Sequence, residues 1–122
     1  MAESNDLGRW GEDIAALYLV NHGYDIVERD WRDGHRDIDI IAVDGDTMVF
    51  VEVKTRSDNT FGEPEQAVGY EKARMLKRAA TRYARSHHIR LFLRFDIIAV
   101  TGTPDSDVSI KHYEGVFQSA RY

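Results

Sequence analysis

The chain has no cysteine and only two prolines among its 122 residues. Without a thiol there is no disulfide, no thiolate nucleophile and no cysteine-based zinc site. No apolar run approaches the roughly 20 residues of a membrane-spanning helix, and Met1 to Asp6 lack the basic and apolar regions of a secretory leader. Internal repeats, linkers and low-complexity tracts are missing too. The expectation is one cytoplasmic domain covering residues 1–122, with no membrane partner. Five histidines are present, yet none pair at zinc-helix spacing, and adjacent His87 and His88 would diverge on a helix, so no zinc site is expected.

A net charge of −5 argues against coating nucleic acid by bulk attraction. Its distribution matters more. Residues 71–94 hold eight bases and a single acid, Glu71, so this stretch is +7 and the remainder −12. One basic element serves an otherwise acidic chain.

Hydrophobic periodicity places the elements. Asp6 to Asn21 reads as a helix with Leu7, Trp10, Ile14, Leu17 and Tyr18 as its core stripe and His22-Gly23 as its stop. Glu12 falls on a second stripe, with Ala15, Ala16 and Leu19, that also points inward. Gly8 and Gly11 lie on that side, where a missing side chain permits close backbone approach. Tyr24 to Trp31, Ile38 to Val43 and Thr47 to Thr55 read as strands, the last two joined by the turn cluster Asp44-Gly45-Asp46. Phe61-Gly62-Glu63-Pro64 reads as a loop leading to a second helix, Tyr70 to Ser86, with Ala73, Leu76, Ala79, Ala80 and Tyr83 as its apolar stripe. Leu91 to Val100 and Val108 to Tyr113 complete an α-β-β-β-α-β-β order, which is an α/β class of fold.

The chemistry concentrates on one strand pair. Asp39 is followed thirteen residues later by Glu52-Val53-Lys54, which closes the apolar run Met48-Val49-Phe50-Val51. Alternation puts Glu52 and Lys54 on one strand face, together with Met48 and Phe50, while Val49, Val51 and Val53 fill the other. A strand apolar on both faces belongs in the middle of a covered sheet. The hairpin register brings Asp39 and Glu52 together, and two carboxylates about 4 Å apart at an effective dielectric near 20 repel by about 4 kcal/mol. A hard divalent cation offsets that repulsion, since Mg²⁺ binds one or two carboxylates and completes its shell with water and phosphate oxygens. The alternative is that Glu52 and Lys54 are ordinary strand-end charges paired across the sheet.

With these motifs in order, the chain resembles the YraN family of small bacterial proteins in the PD-(D/E)XK, or restriction-endonuclease-like, superfamily. The resemblance rests on Gly11-Glu12, Ala15, Asp39, Ile41-Ala42, the block Val49-Phe50-Val51-Glu52-Val53-Lys54-Thr55-Arg56, Lys72 and Arg94-Phe95-Asp96. It implies a central mixed sheet flanked by helices, a fold shared with Holliday junction resolvases and repair nucleases. By that similarity Asp39 and Glu52 would hold Mg²⁺ or Mn²⁺, Lys54 would orient the attacking water, and Glu12 would add a helix-borne ligand. The catalytic set so implied is Glu12, Asp39, Glu52 and Lys54. For Glu12 the competing explanation is a favourable interaction with the helix dipole.

Two positions depart from the family pattern. Arg36-Asp37 precedes Ile38-Asp39 where the family has Gly-Glu, and Asp30 stands where it has Asn. Asp37 keeps a carboxylate on its strand but is not counted as a primary ligand.

Arg56, Lys72, Lys77 and Arg78 are candidate nucleic-acid contacts, the alternatives being a surface ion pair for Arg56 and a solvated face for the helix. Gln66 and Tyr70 match a spacing found in some exonucleases, with packing the competing role for Tyr70. Trp10, Trp31 and Tyr24 are candidates for base stacking or for the core. The leading functional expectation is a metal-dependent nuclease acting on nucleic acid, DNA before RNA, at branched or unpaired sites. Its rival is a module on the same fold that binds nucleic acid or a protein without cutting. A homodimer is implied by analogy with resolvases, which need two sites to cut a symmetric junction.

Overall fold

The computed structural model describes residues 2–34, 36–57 and 70–116, with side chains described for 6–34, 37–57 and 71–116. Seven elements follow in order: α1 (Ala2–Asn21), β1 (Asp25–Asp33), β2 (Arg36–Asp44), β3 (Thr47–Arg56), α2 (Tyr70–Ser86), β4 (Phe92–Thr101) and β5 (Ser109–Tyr113). The five strands form one mixed sheet in the order β1-β2-β3-β4-β5. All neighbours are antiparallel except β3 and β4, which run parallel from Thr47↔Phe92 to Arg56↔Thr101. A parallel pair needs a crossover, and α2 lies within it. This is the expected α/β arrangement of a restriction-endonuclease-like fold. The predicted loop Phe61-Gly62-Glu63-Pro64, Gln66 and the Tyr70 side chain lie outside the described residues. Among the described residues, no helix is long and apolar enough to cross a membrane.

Each face of the sheet is covered. Val49 and Val51 of β3 with Ile98 and Val100 of β4 pack under α1, against Ala15 and Leu19. Met48 and Phe50 of β3 with Phe95 of β4 pack under α2, against Leu76, Ala79, Ala80 and Tyr83. β3 is thus the central, doubly covered strand that its sequence implies.

The sequence expectation for α1 needs one correction. Leu17 is 59% exposed, and the helix face against the sheet is instead Gly11, Ala15 and Leu19, flanked by Trp10, Ile14 and Tyr18. The small residues win because the helix sits close to β3: a Cβ on Gly11 would overlap the Thr55 side chain, falling 2.8 Å from Cγ2. The stripe with Glu12 is accordingly the inner one.

Both helices end on a left-handed residue that lets the chain reverse. Gly23 has φ +90°, with Gly23 N–H donating to Val20 O at 3.1 Å and Tyr24 N–H to Leu19 O at 3.0 Å. Those two bonds, with Leu19 and Tyr24 packed together, make a Schellman cap. His88 takes the same part after α2 with φ +54°, and Ile89 N–H reaches Ala84 O at 2.8 Å.

Candidate active site

The site forms where the sheet opens. β2 and β3 are paired from the turn, Asp44↔Thr47, up to Ile40↔Val51, and no further. Asp39 and Glu52 are the next residues in that register. Here the Val53 amide donates to Asp39 Oδ2 at 2.8 Å, so a side chain stands in for a ladder carbonyl. Side-chain alternation breaks at the same place. Ile38 packs under α2, whereas Ile40, two residues on, packs under α1.

The gap is a cleft of about 460 Å³, lined by Glu12, Asp37, Asp39, Glu52, Val53, Thr55 and Lys72, with Leu7 and Gly8 of α1 at its edge. Glu12 is reached because Gly11 lets α1 lie against Thr55. It occupies the third turn of α1, beyond the first-turn range of the dipole. The dipole therefore does not account for it.

A third acid completes the wall. On β1, Asp30 lies between the pairs Arg29↔Ile40 and Trp31↔Ile38, across from Asp39. Its φ is +53°, a left-handed conformation that Asp and Asn tolerate better than most residues. Glu12, Asp30 and Asp39 each offer an oxygen, and the three oxygens lie within 4.8 Å of one another. Asp30 is the member of this set that the sequence candidates lack, its position being a departure from the family's Asn. The missed signal was that both residue types suit a left-handed turn opposite an acid.

These carboxyls are held away from their ordinary behaviour. Burial, then the charge of Glu52, pushes Asp39 from 3.8 to about 7 against the opposing pull of the Val53 amide. Burial also raises Glu12 from 4.5 to about 7, followed by the Asp39 charge and a hydrogen bond with Asp30. Two hydrogen-bonded carboxyls need a proton, or a cation in its place. An all-oxygen, mutually repelling donor set suits a hard divalent cation and gives a soft metal nothing to bind.

The opposite wall is cationic. Glu52, with its side chain 10% exposed, receives Lys54 Nζ at 3.3 Å and Lys72 Nζ at 3.8 Å on the same oxygen, Oε2. Lys54 lies beside Glu52 on the α2 face of β3, and Lys72 arrives from α2. At the rim, Arg29 Nη2 bonds Asp13 Oδ1 at 2.8 Å and stands 3.9 Å from Glu12 Oε1.

The structure thus brings Glu12, Asp39, Glu52, Lys54 and Lys72 together, and Asp37 joins them as an exposed lining residue. Arg56, Lys77 and Arg78 do not line the cleft. The aromatic candidates are used elsewhere: Trp10 packs against the core, Trp31 meets Tyr83 edge-on, and the Tyr24 hydroxyl accepts from Arg94 at 2.7 Å.

The family model described as "Uncharacterised protein family UPF0102" matches residues 11–100, a span that holds Glu12, Asp30, Asp39, Glu52, Lys54 and Lys72. A UPF0102 protein of Bacteroides thetaiotaomicron is 44% identical over 117 residues, covering 96% of each chain. One of Flavobacterium psychrophilum is 43% identical over 96% of this chain and 98% of its own, and one of Arthrobacter is 42% identical over 90% and 94%. The chain belongs to the UPF0102, or YraN, family.

Proposed function

We propose that this cleft hydrolyses phosphodiester bonds in nucleic acid with the help of Mg²⁺ or Mn²⁺. One observation carries the reading: Glu12, Asp30 and Asp39 bring three carboxylate oxygens within 4.8 Å of one another, with Glu12 and Asp39 half-buried and raised to about 7, while Glu52 in the same cleft holds two ammonium groups. Perturbed acids gathered in a cleft mark a candidate functional site. Asp39 would hold the cation together with Glu12 and Asp30, whose oxygens converge with its own, and Glu52 would complete the set from the same cleft. When bound, the ion supplies Lewis-acid polarisation of a phosphate oxygen and lowers the pKa of water.

The protein's own groups do the rest. The Val53 amide fixes the Asp39 carboxylate, so the ligand does not have to be ordered at the moment of reaction. Lys54, a flexible point charge beside Glu52, stabilises the negative charge that grows on the phosphoryl oxygens. Glu12, beside Asp39 in the cleft, would accept the proton that leaves the attacking water. The water oxygen bonds to phosphorus, the ester P–O bond breaks, and the departing oxygen takes a proton from solvent. DNA with unpaired or branched regions is the proposed substrate, and a homodimer would present two such clefts to a symmetric junction.

The test incubates the protein with Mg²⁺ or Mn²⁺ and single-stranded, duplex, flap and four-way-junction DNA and RNA, beside Asp39→Ala and Lys54→Ala. Cleavage lost in both variants is the expected result. Cleavage that survives both removes this cleft from the reaction, and binding without any cleavage favours the non-cutting module.

A further inference from the structure

We propose that Lys72 is a phosphate-binding residue of the cleft, the cation that holds a non-bridging oxygen of the bond to be cut. The proposal rests on the reading of the cleft as a phosphodiester hydrolase. Its starting point is that Lys72 differs from the other bases of α2. Lys72, Leu76, Ala79 and Tyr83 recur at helical spacing, and the last three are buried against the sheet. Arg74, Arg78, Arg82 and Arg85 lie on the exposed side. Arg82 is drawn to Asp33 at 2.6 Å. Lys77 is half-buried like Lys72, on the neighbouring stripe with Ala73 and Ala80, but of all the bases of α2 it is Lys72 that lines the cleft.

That position is unfavourable for a cation on local grounds. Lys72 is in the first turn of α2, where the helix dipole opposes positive charge. It also brings a second ammonium to a carboxylate oxygen that already has Lys54 at 3.3 Å, its own distance being 3.8 Å. Two positive charges against one negative leave an excess of one on this wall, which matches the single charge of a phosphodiester.

Lys54 and Lys72 then divide the work by position. Lys72 lines the cleft and so meets the substrate phosphate first, while Lys54, held at Glu52, acts on the charge that grows there in the transition state. The opposite wall, Glu12 and Asp39, repels a phosphate. An anion entering the cleft therefore finds Lys72 as the ammonium directly in its path. Should Glu52 turn to a cation, Lys72 gives up this ion pair, its one salt bridge among the described residues, and keeps its place on the helix.

The experiment compares wild type, Lys72→Met and Lys72→Arg on the best substrate of the panel above, with a Mn²⁺ titration by calorimetry and a thermal melt of each. Loss of a charge-assisted contact to phosphate should lower kcat/KM of Lys72→Met by about tenfold to a hundredfold. Lys72→Arg should recover part of it, and Mn²⁺ affinity in Lys72→Met should stay equal to or exceed that of wild type. Wild-type cleavage with Lys72→Met within twofold of it overturns the role of Lys72 and leaves the hydrolase reading standing. Loss of Mn²⁺ binding together with cleavage also overturns it, because Lys72 would then act by positioning Glu52. A wild type that cuts nothing with either ion overturns both.

Discussion

Replacing Asp39 with Asn should stabilise the metal-free protein at pH 8, the opposite of what removing a structural carboxylate does. Asp39 is pushed from 3.8 to about 7 by burial and by Glu52, Asp37 and Asp30, and it in turn raises Glu12 across the cleft. Between these pH values the folded chain binds more protons at this site than the unfolded chain does. Stability therefore falls as pH rises. A shift of about three units at about 1.4 kcal/mol each amounts to about 4 kcal/mol once both states are ionised. Of this, about 2.5 kcal/mol accrues between pH 5 and 8. For a chain of this size that is a fall in Tm on the order of 10 °C. Asn keeps an oxygen to accept the Val53 amide, so the substitution removes the charge and leaves the hydrogen bond. Thermal melts in chelator from pH 5 to 8.5 read the effect as the difference between the two proteins, in which the shared histidines cancel. Wild type should approach the Asn variant at pH 5 and fall below it by pH 8. Parallel curves, or an Asn variant less stable at pH 8, would refute the reasoning that Asp39 is held at a cost.

Three further outcomes follow from the same structure. Asp96→Ala should cost about 3–5 kcal/mol in urea denaturation, because it leaves the half-buried Arg94 without its bidentate partner; a loss below 1 kcal/mol would mean that water replaces the carboxylate freely. Gly11→Ala should destabilise by about 1–3 kcal/mol through overlap with Thr55, outweighing the gain of about 1 kcal/mol in helix propensity; a raised Tm would show that α1 can lift off β3 without penalty. Mn²⁺ affinity should rise from pH 6 to 8 and its binding should release protons, since Glu12 and Asp39 titrate at about 7; calorimetry in buffers of different ionisation enthalpy would expose a proton-independent affinity.

What the residues disclosed in advance depended on whether regular geometry carried the signal. The α-β-β-β-α-β-β order, the doubly covered β3 and the hairpin at Asp44-Gly45-Asp46 all follow from period and turn chemistry, and all appear. The inward Glu12 is legible because its stripe contains Ala15, Ala16 and Leu19, with Gly8 and Gly11 on the same side. Leu17 misled, since hydrophobicity ranked it above the small residues that permit close approach to the sheet. Asp30 is legible only as a residue type suited to a left-handed conformation; its place opposite Asp39 and the reversal of side-chain facing there are out of reach. Both are exceptions to strand alternation, and alternation is what reads a strand from its sequence. Lys72 was grouped with Lys77 and Arg78 because they share charge, although its spacing from Leu76, Ala79 and Tyr83 already separated it.

The two ends of α1 show why the acid cluster does not belong to the scaffold. Asp96 and Asp39 are both drawn out of water near this helix. Toward its C-terminal end, Asp96 accepts from Arg94 Nε at 2.9 Å and Nη2 at 2.8 Å, from His112 Nε2 at 2.6 Å and from the Gly115 amide at 3.1 Å. Tyr18 then meets His112 Nδ1 at 3.1 Å, which ties α1 and β5 to β4. Burial alone would raise Asp96, but these donors bring its carboxyl below the ordinary 3.8. Its contribution to stability is thus present above that value and is lost as pH falls through the folded-state pKa. Nearer the other end, Asp39 accepts from the Val53 amide and otherwise faces the charges of Glu52, Asp37 and Asp30 among the described residues. The chain supplies four donor contacts to one buried aspartate and leaves the other raised to about 7. A fold that can satisfy a carboxylate so fully has no structural need for one it satisfies so poorly. The deficit of positive charge at Asp39, Glu12 and Asp30 is what a cation would fill, and the surplus at Lys54 and Lys72 is what a phosphate would.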